Sequence, residues 1–295
     1  MEQEIEEYIE YIGRNNKKSE NTLVSYRRDL YKLMDYLTKK PALTEWSQVT
    51  ETDLNSYVLH LQSEESAPSA IARYIVSMKA FFEYLEKMGR IDEEPAMNIR
   101  PPHHEKKVPE IISVENVVKL LTAPDGNSPK QLRDRAMLEL LYATGIKVSE
   151  LVAIKMIDIN LQVGYVSCQT VQHDRIIPFG TEAKQALMRY LKDGREALLS
   201  GKDSEYLFTN VKGGQMSRQG FWKIIKAYAK KAGIEEDITP YTLRHSFAAH
   251  MISNGADIYA VSEMLGHLDV SATQVYAVFS KSRLRDVYTK AHPRG

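Results

Sequence analysis

Apolar residues along the first 90 positions recur in the three- and four-residue steps of an α-helix. Ile5, Tyr8, Ile9 and Ile12 share one face of a segment spanning 2–14, with carboxylates around the rest. Leu23, Tyr26, Leu30, Leu33, Met34 and Leu37 repeat the pattern behind Asn21-Thr22, a capping pair, and Pro41 follows the end. Thr52-Asp53 begins a third, shorter helix to about Leu61, which the polar stretch Ser63–Ser69 breaks. A fourth runs from about Ser69 to Met88, with Ile71, Ile75, Met78, Phe82 and Leu85 facing inward and Gly89 stopping it. Four amphipathic helices in succession predict a helical bundle. Each needs the others to bury its stripe.

Pro101, Pro102 and Pro109, with His103-His104 and Lys106-Lys107 between them, cannot continue a helix and read as an extended linker. The paired histidines have no third ligand at metal spacing, so solvated linker residues are the simpler reading. This divides the chain into a helical domain at 1–97, a linker at 98–112 and a second domain at 113–295.

Beyond the linker, Ser113 and Asn116 start a helix carrying Val114, Val117, Val118, Leu120 and Leu121. Leu132 to Ala143 reads as a core helix ended by Thr144-Gly145, and Lys147 to Leu151 opens a short one. The period then changes. Gly164–Gln169 and Arg175–Phe179 are short β-like runs around a polar turn, predicting a small antiparallel sheet built on a hairpin. Helices follow over Thr181–Leu199, from Ser217 to about Gly233, over Thr242–Asn254, Ile258–Leu265 and Ser271–Val278, and from about Lys281. The fold class is therefore mainly α: a four-helix N-terminal domain, then a mixed α/β, mostly helical domain with a small sheet.

Composition narrows the setting. In 295 residues, 43% hydrophobic and 26% charged content is that of a globular protein, with no run long enough to span a membrane. The acidic start Met1-Glu2-Gln3-Glu4 lacks a signal peptide's basic and apolar regions, and the lone Cys168 allows no internal disulfide, so a cytoplasmic setting is expected. No Cys/His cluster suggests a metal. Net charge is zero, but residues 1–110 hold 15 basic against 20 acidic residues, leaving −5 there and +5 on the remainder. The second domain is the better candidate for a polyanion surface. In the first, Arg27, Arg28, Lys32, Arg73 and Lys79 either line a phosphate-facing surface or sit on solvated helix faces.

Candidate chemistry gathers near the C-terminus, in Pro240-Tyr241-Thr242-Leu243-Arg244-His245-Ser246-Phe247, Leu265-Gly266-His267 and Tyr276. Arginine offers phosphate a planar fork of donors, histidine donates or shuttles a proton, and tyrosine is an oxygen nucleophile. These residues suit work on a phosphodiester. His245 and His250 read as structural hydrogen-bonders, and Tyr259 and Tyr288 as packing residues.

Three boxes, Ala143-Thr144-Gly145-Ile146-Lys147-Val148-Ser149-Glu150-Leu151, Thr242 to His250, and Leu265-Gly266-His267, stand in order with the hairpin and Tyr276. Together they resemble the tyrosine recombinase (phage integrase) family, in particular its XerC/XerD-like members. The resemblance spans nearly the whole chain. It implies a SAM-like, DNA-clamping core-binding domain ahead of a catalytic domain. It also implies site-specific cutting and rejoining of double-stranded DNA through a 3′-phosphotyrosyl intermediate, without ATP, metal or other cofactor. Tyr276 would be the nucleophile, with Arg244 and His267 on the nonbridging oxygens. Homo- or hetero-tetramers on two duplexes are implied as partners, with the amphipathic Arg283–Tyr288 stretch either docking on a neighbour or packing on its own protomer. The family's roles include chromosome partition and mobile-element integration.

Three catalytic positions depart from the family pattern. Lys147 replaces the first arginine, keeping charge but losing the bidentate fork; one lost donor of this kind commonly costs on the order of 10²–10³ in rate. Thr170 stands where the hairpin lysine is expected, and His173 is the titratable side chain nearby that can substitute. Tyr241 stands at a variable histidine position, and a tyrosine is a poor general base near neutrality. Glu150, one turn from Lys147, is placed to orient Lys147 or His267, or is a plain surface carboxylate. Three readings remain open: a slow but active recombinase, a weakened recombinase-fold DNA-binding protein serving as accessory or partner subunit, and a helical interaction module unrelated to DNA.

Overall fold

Where each helix begins is decided by capping as much as by the apolar stripe. The computed structural model describes residues 1–15, 18–39, 43–102, 109–169, 174–267 and 269–278. They form two compact units, Met1–Lys106 and Lys107–Gly295.

The first unit has α1 (Glu2–Asn15), α2 (Glu20–Leu37), α3 (Glu51–Ser63) and α4 (Pro68–Lys87). Ser19, not Asn21-Thr22, caps α2, its side chain accepting from the Thr22 amide. Thr50 caps α3 in a reciprocal box with Asp53, so that helix starts at Glu51, one residue earlier than the apolar pattern alone suggests. The expected stripes meet in one core. Trp46, in a short 3₁₀ turn, and Ile91, Ala96 and Ile99, beyond α4, also join it. Ile99 packs in this core and Ile112 in the next, so both ends of the stretch 98–112 are anchored. His103-His104 lie outside the described residues.

The second unit holds α5 (Val114–Thr122), α6 (Pro129–Thr144), α7 (Val148–Leu151), β1 (Ile159–Asn160), β2 (Tyr165–Cys168), β3 (Arg175–Pro178), α8 (Thr181–Asp193), α9 (Arg195–Leu199), α10 (Arg218–Lys231), α11 (Pro240–Ser253), α12 (Ile258–Leu265) and α13 (Ser271–Gln274). The sheet is antiparallel in the order β1-β2-β3; Val166 pairs with both Ile159 and Ile177, and Cys168 with Arg175. β1 is a third strand that periodicity missed, because two residues carry no period. The single helix expected over Thr181–Leu199 is two, broken at Gly194, where a Cβ would lie 3.2 Å from Tyr190 and 3.3 Å from Leu132. α13 stops at Gln274, and 275–278 continue as a 3₁₀ turn, so the helix expected to Val278 is shorter. The hairpin turn and the segment from 279 onward, with Arg283–Tyr288, lie outside the described residues.

α6 is buried on nearly every side, polar residues included. Arg133 donates to Asp134 from Nη2 (2.6 Å) and Nε (3.0 Å) and to the Thr209 carbonyl, while the Tyr228 hydroxyl donates to Asp134 at 3.1 Å. A buried pair of this kind is costly to break from one side, because the survivor keeps its charge without a partner. Asp134→Ala is expected to destabilise the fold by about 3–5 kcal/mol in denaturant unfolding, and Arg133→Met with Asp134→Leu by much less.

Candidate active site

Two glycines at helix ends build the frame. Gly145 ends α6 at φ +62°, its amide donating to the Leu141 carbonyl; a Cβ there would also lie 2.2 Å from the Phe247 ring. Gly266 ends α12 at φ +65°, with the Arg175 guanidinium 2.6 Å from where its Cβ would be. Both sites demand glycine for conformation and for space.

Arg244 reaches both helix ends from the buried α11. Its Nη1 donates to the Gly145 carbonyl (2.6 Å) and its Nη2 to the Leu265 carbonyl (2.7 Å), so the cation sits where the C-terminal ends of α6 and α12 concentrate partial negative charge. Nη2 also meets His267 Nε2 at 3.2 Å. Three of five N–H donors are thereby engaged, and two have no partner among the described residues. Burial pushes the guanidinium's pKa down; Glu150 opposes and Arg175 adds to the shift.

Because an arginine only donates, His267 Nε2 must accept, which leaves the proton on Nδ1 to donate to Thr273 Oγ1 at 2.8 Å. Burial, then the charges of Arg244, Lys147, Arg175 and His245, lowers the imidazole's pKa from its ordinary 6.5 to about 4. His267 is therefore neutral in the free protein.

Tyr276 is 2% exposed in a small apolar cluster with Phe247, Ala248, Ala249, Ile252, Val261 and Leu265. Its hydroxyl meets Nδ1 of His245. Burial raises the phenol's pKa, and the Arg244 charge works against that rise. His250 behaves as the structural hydrogen-bonder expected, meeting the Tyr142 hydroxyl at 2.9 Å, whereas His245 is joined to the candidate nucleophile itself. Tyr259, expected to pack, is 68% exposed. Tyr288 lies outside the described residues.

Lys147 and Tyr241 are exposed and line, with Arg244, Arg218 and Trp222, a cleft of about 420 Å³. Tyr276 and His267 do not line it. Glu150 orients neither the Lys147 amine nor His267. Its Oε2 accepts from the Lys147 backbone amide (2.7 Å) and from Arg175 Nη2 (2.8 Å), capping α7 and tying it to β3. Arg175, which also donates to the Met264 carbonyl at 3.1 Å, thus links the sheet to the end of α12. Sequence reasoning missed Arg175 and Thr273. An arginine at an inward position of β3, next but one to Ile177, was the available sign of a buried carboxylate partner. Thr170 and His173 lie outside the described residues.

In the first unit, four of the five candidate phosphate-binding cations are already engaged. Arg27 pairs with Glu6 (2.8 Å), Lys32 with Glu64 (2.9 Å) and Arg73 with the buried Asp29, while Lys79 donates to the Met97 carbonyl at 2.7 Å. Arg28 is exposed and has no ion pair among the described residues. No helix of the described residues is long and apolar enough to cross a membrane, and no group of three or more His, Cys, Asp or Glu among them is placed to hold a metal.

Comparison with known proteins gives the family. The model of the phage integrase family matches residues 110–283, and that of the phage integrase N-terminal SAM-like domain matches residues 5–89. The tyrosine recombinase XerD of Listeria innocua serovar 6a is 41% identical over 294 residues, covering 98% of each chain. Among solved structures, the XerH site-specific recombinase bound to a palindromic difH substrate superposes with a TM-score of 0.75 at 21% identity, over 90% of this chain and 79% of that one. A lambda integrase tetramer bound to a Holliday junction does so with a TM-score of 0.73 at 16% identity, over 93% and 76%. At those identities the structural likeness is one of fold.

The depressed pKa of His267 carries a sign. Its neutral form stabilises the folded state fully above pH 6.5, and that contribution is lost as pH falls from 6.5 towards 4. The stability advantage of the parent over His267→Gln is therefore expected to shrink as pH is lowered through this window, measured by denaturant unfolding at fixed salt.

Proposed function

The chain belongs to the phage integrase family, and from that premise we propose how this tyrosine-type site-specific DNA recombinase uses the residues of its second domain. Tyr276 attacks a phosphodiester, forming a 3′-phosphotyrosyl link and freeing a 5′-hydroxyl, and a second strand's hydroxyl reverses the step. Arg244 holds the nonbridging oxygens with its two spare donors, aided by His267, while Lys147 and Tyr241 meet the DNA backbone at the cleft. The observation that carries this reading is the meeting of Arg244, His267 and the His245-bound Tyr276 at one place. An anionic diester needs its developing charge met by donors already in position, and a guanidinium held by two helix ends needs no reorganisation.

The first domain, 1–97, clamps the duplex, with 98–112 as the connection and 113–295 as the catalytic domain. Arg27, Arg28, Lys32, Arg73 and Lys79 contact phosphates there, the paired cations exchanging carboxylates for DNA. The protein works in the cytoplasm on double-stranded DNA, as a homo- or hetero-tetramer that Arg283–Tyr288 helps to assemble. Chromosome partition is a role that suits its XerD relatives. The accessory-subunit reading is not favoured, because a relative 41% identical over 98% of each chain is named a recombinase.

Incubation with a nicked duplex carrying a validated target site is expected to trap a covalent protein–DNA species that Tyr276→Phe abolishes. Binding with no trapped species would sink the reading. Lys147→Arg restores a bidentate fork and is expected to raise the cleavage rate, by about 10²–10³-fold if Lys147 costs what a lost donor commonly costs. An unchanged or lower rate would mean that lysine is adapted to this site.

A further inference from the structure

Tyr276 is 2% exposed, so its phenolic proton cannot be left to solvent. The partner its hydroxyl has among the described residues is Nδ1 of His245. Were Nδ1 protonated, either two protons would face each other or the phenol proton would turn away from it, where no acceptor stands among the described residues. The consistent arrangement has the phenol donating, Nδ1 accepting and the second imidazole proton on Nε2. His245 is half-buried beside the Arg244 guanidinium, and burial, then that charge, keeps the ring neutral and able to accept. The groups facing it are Tyr276, Arg244 and, through Arg244, His267. Tyr241, one turn earlier on α11, is 70% exposed on the cleft and does not contact this hydroxyl.

We propose that His245 is a catalytic residue of this chain, the acceptor of the Tyr276 proton as the phenol oxygen attacks phosphorus. The inference rests on the function proposed above. An Oη lone pair forms the new P–O bond as the P–O5′ bond breaks, its electron pair leaving on the 5′-oxygen. The phenol proton passes to Nδ1 and makes an imidazolium. The 5′-oxygen takes a proton from water, and the imidazolium later returns its own to solvent, so the net change is a phenol esterified and an alcohol released. Rejoining runs the steps backwards: the imidazolium returns the proton to the departing phenolate. The same contact explains how a nucleophile can be buried and still be ready. The bond that parks it is the one along which its proton leaves.

Two measurements test this. In the free protein, ¹⁵N NMR of the His245 imidazole at neutral pH is expected to show a protonated Nε2 and a bare, hydrogen-bonded Nδ1. A protonated Nδ1 would overturn the proposal, and this result stands whether or not DNA is cut. In the nicked-duplex assay, His245→Asn keeps an acceptor oxygen near the Nδ1 position but cannot take up a proton. Cleavage is expected to fall by about 10²–10⁴-fold with DNA affinity and melting temperature unchanged, and added imidazole to restore part of the rate of His245→Gly. A purely structural role predicts the opposite: Asn supports cleavage and imidazole does nothing. With sulfur at the 5′-bridging position, a leaving group that needs no proton, His245→Asn should remain slow; recovery of the rate there would move His245 to the leaving-group side and overturn the proposal. If the parent protein gives no covalent species, the function proposed above fails, and the tautomer still decides the assignment of His245.

Discussion

A buried guanidinium has to be neutralised by its surroundings, and in this protein the requirement is met by helix ends. Among the described residues, Arg244 has no ion pair with a carboxylate. The carbonyls of Gly145 and Leu265, at the C-terminal ends of α6 and α12, receive its protons instead. A carboxylate would cancel the charge. Helix carbonyls stabilise the cation by dipole and leave it net positive, which is what an incoming phosphate requires. The glycines follow from the same constraint: both helices must turn sharply where the guanidinium fits, and a side chain at either glycine would collide with Phe247 or Arg175.

Around this centre, the departures from the family's motif can be judged as positions in space. Glu150 and Arg175 tie α7, β3 and the end of α12 together, so the backbone presenting Lys147 is held while its side chain is exposed. Lys147 and Tyr241 line the cleft with Arg244, whereas His267 and Tyr276 do not. Lys147 and Tyr241 are thus at the cleft, and the inner hydrogen bonds form two sets, Arg244–His267–Thr273 and His245–Tyr276, which adjoin where Arg244 and His245 follow one another on α11.

The first domain accounts for the neutral charge. The proposed role in clamping DNA looks at odds with a domain holding more acidic than basic residues until the pairs are seen: Glu6, Glu64 and Asp29 each hold one of the basic residues in question. Exposed pairs of this kind are worth little, so an exchange of carboxylate for phosphate costs little for Arg27 and Lys32. Arg73 differs, because Asp29 is buried and an abandoned carboxylate there is expensive.

The sequence by itself determined most of the helices, the hairpin and the boxes holding Arg244, His267 and Tyr276. Hydrophobic period and capping residues act over a few positions and can be read along a line. It missed what has no period or no local partner: the two-residue β1, the break at Gly194, and the cap at Ser19 that competed with a plausible one at Asn21-Thr22. Only the tertiary structure decided which side chains meet across long separations. Arg175 joins Glu150 and Met264, Arg244 sets the tautomer of His267 and Thr273 takes its other nitrogen, and His245, indistinguishable in one dimension from the structural His250, comes to lie on the hydroxyl of Tyr276. Those contacts depend on how α11, α12 and the 3₁₀ turn after α13 pack around one small apolar cluster, and packing of that kind is a property of surfaces rather than of intervals.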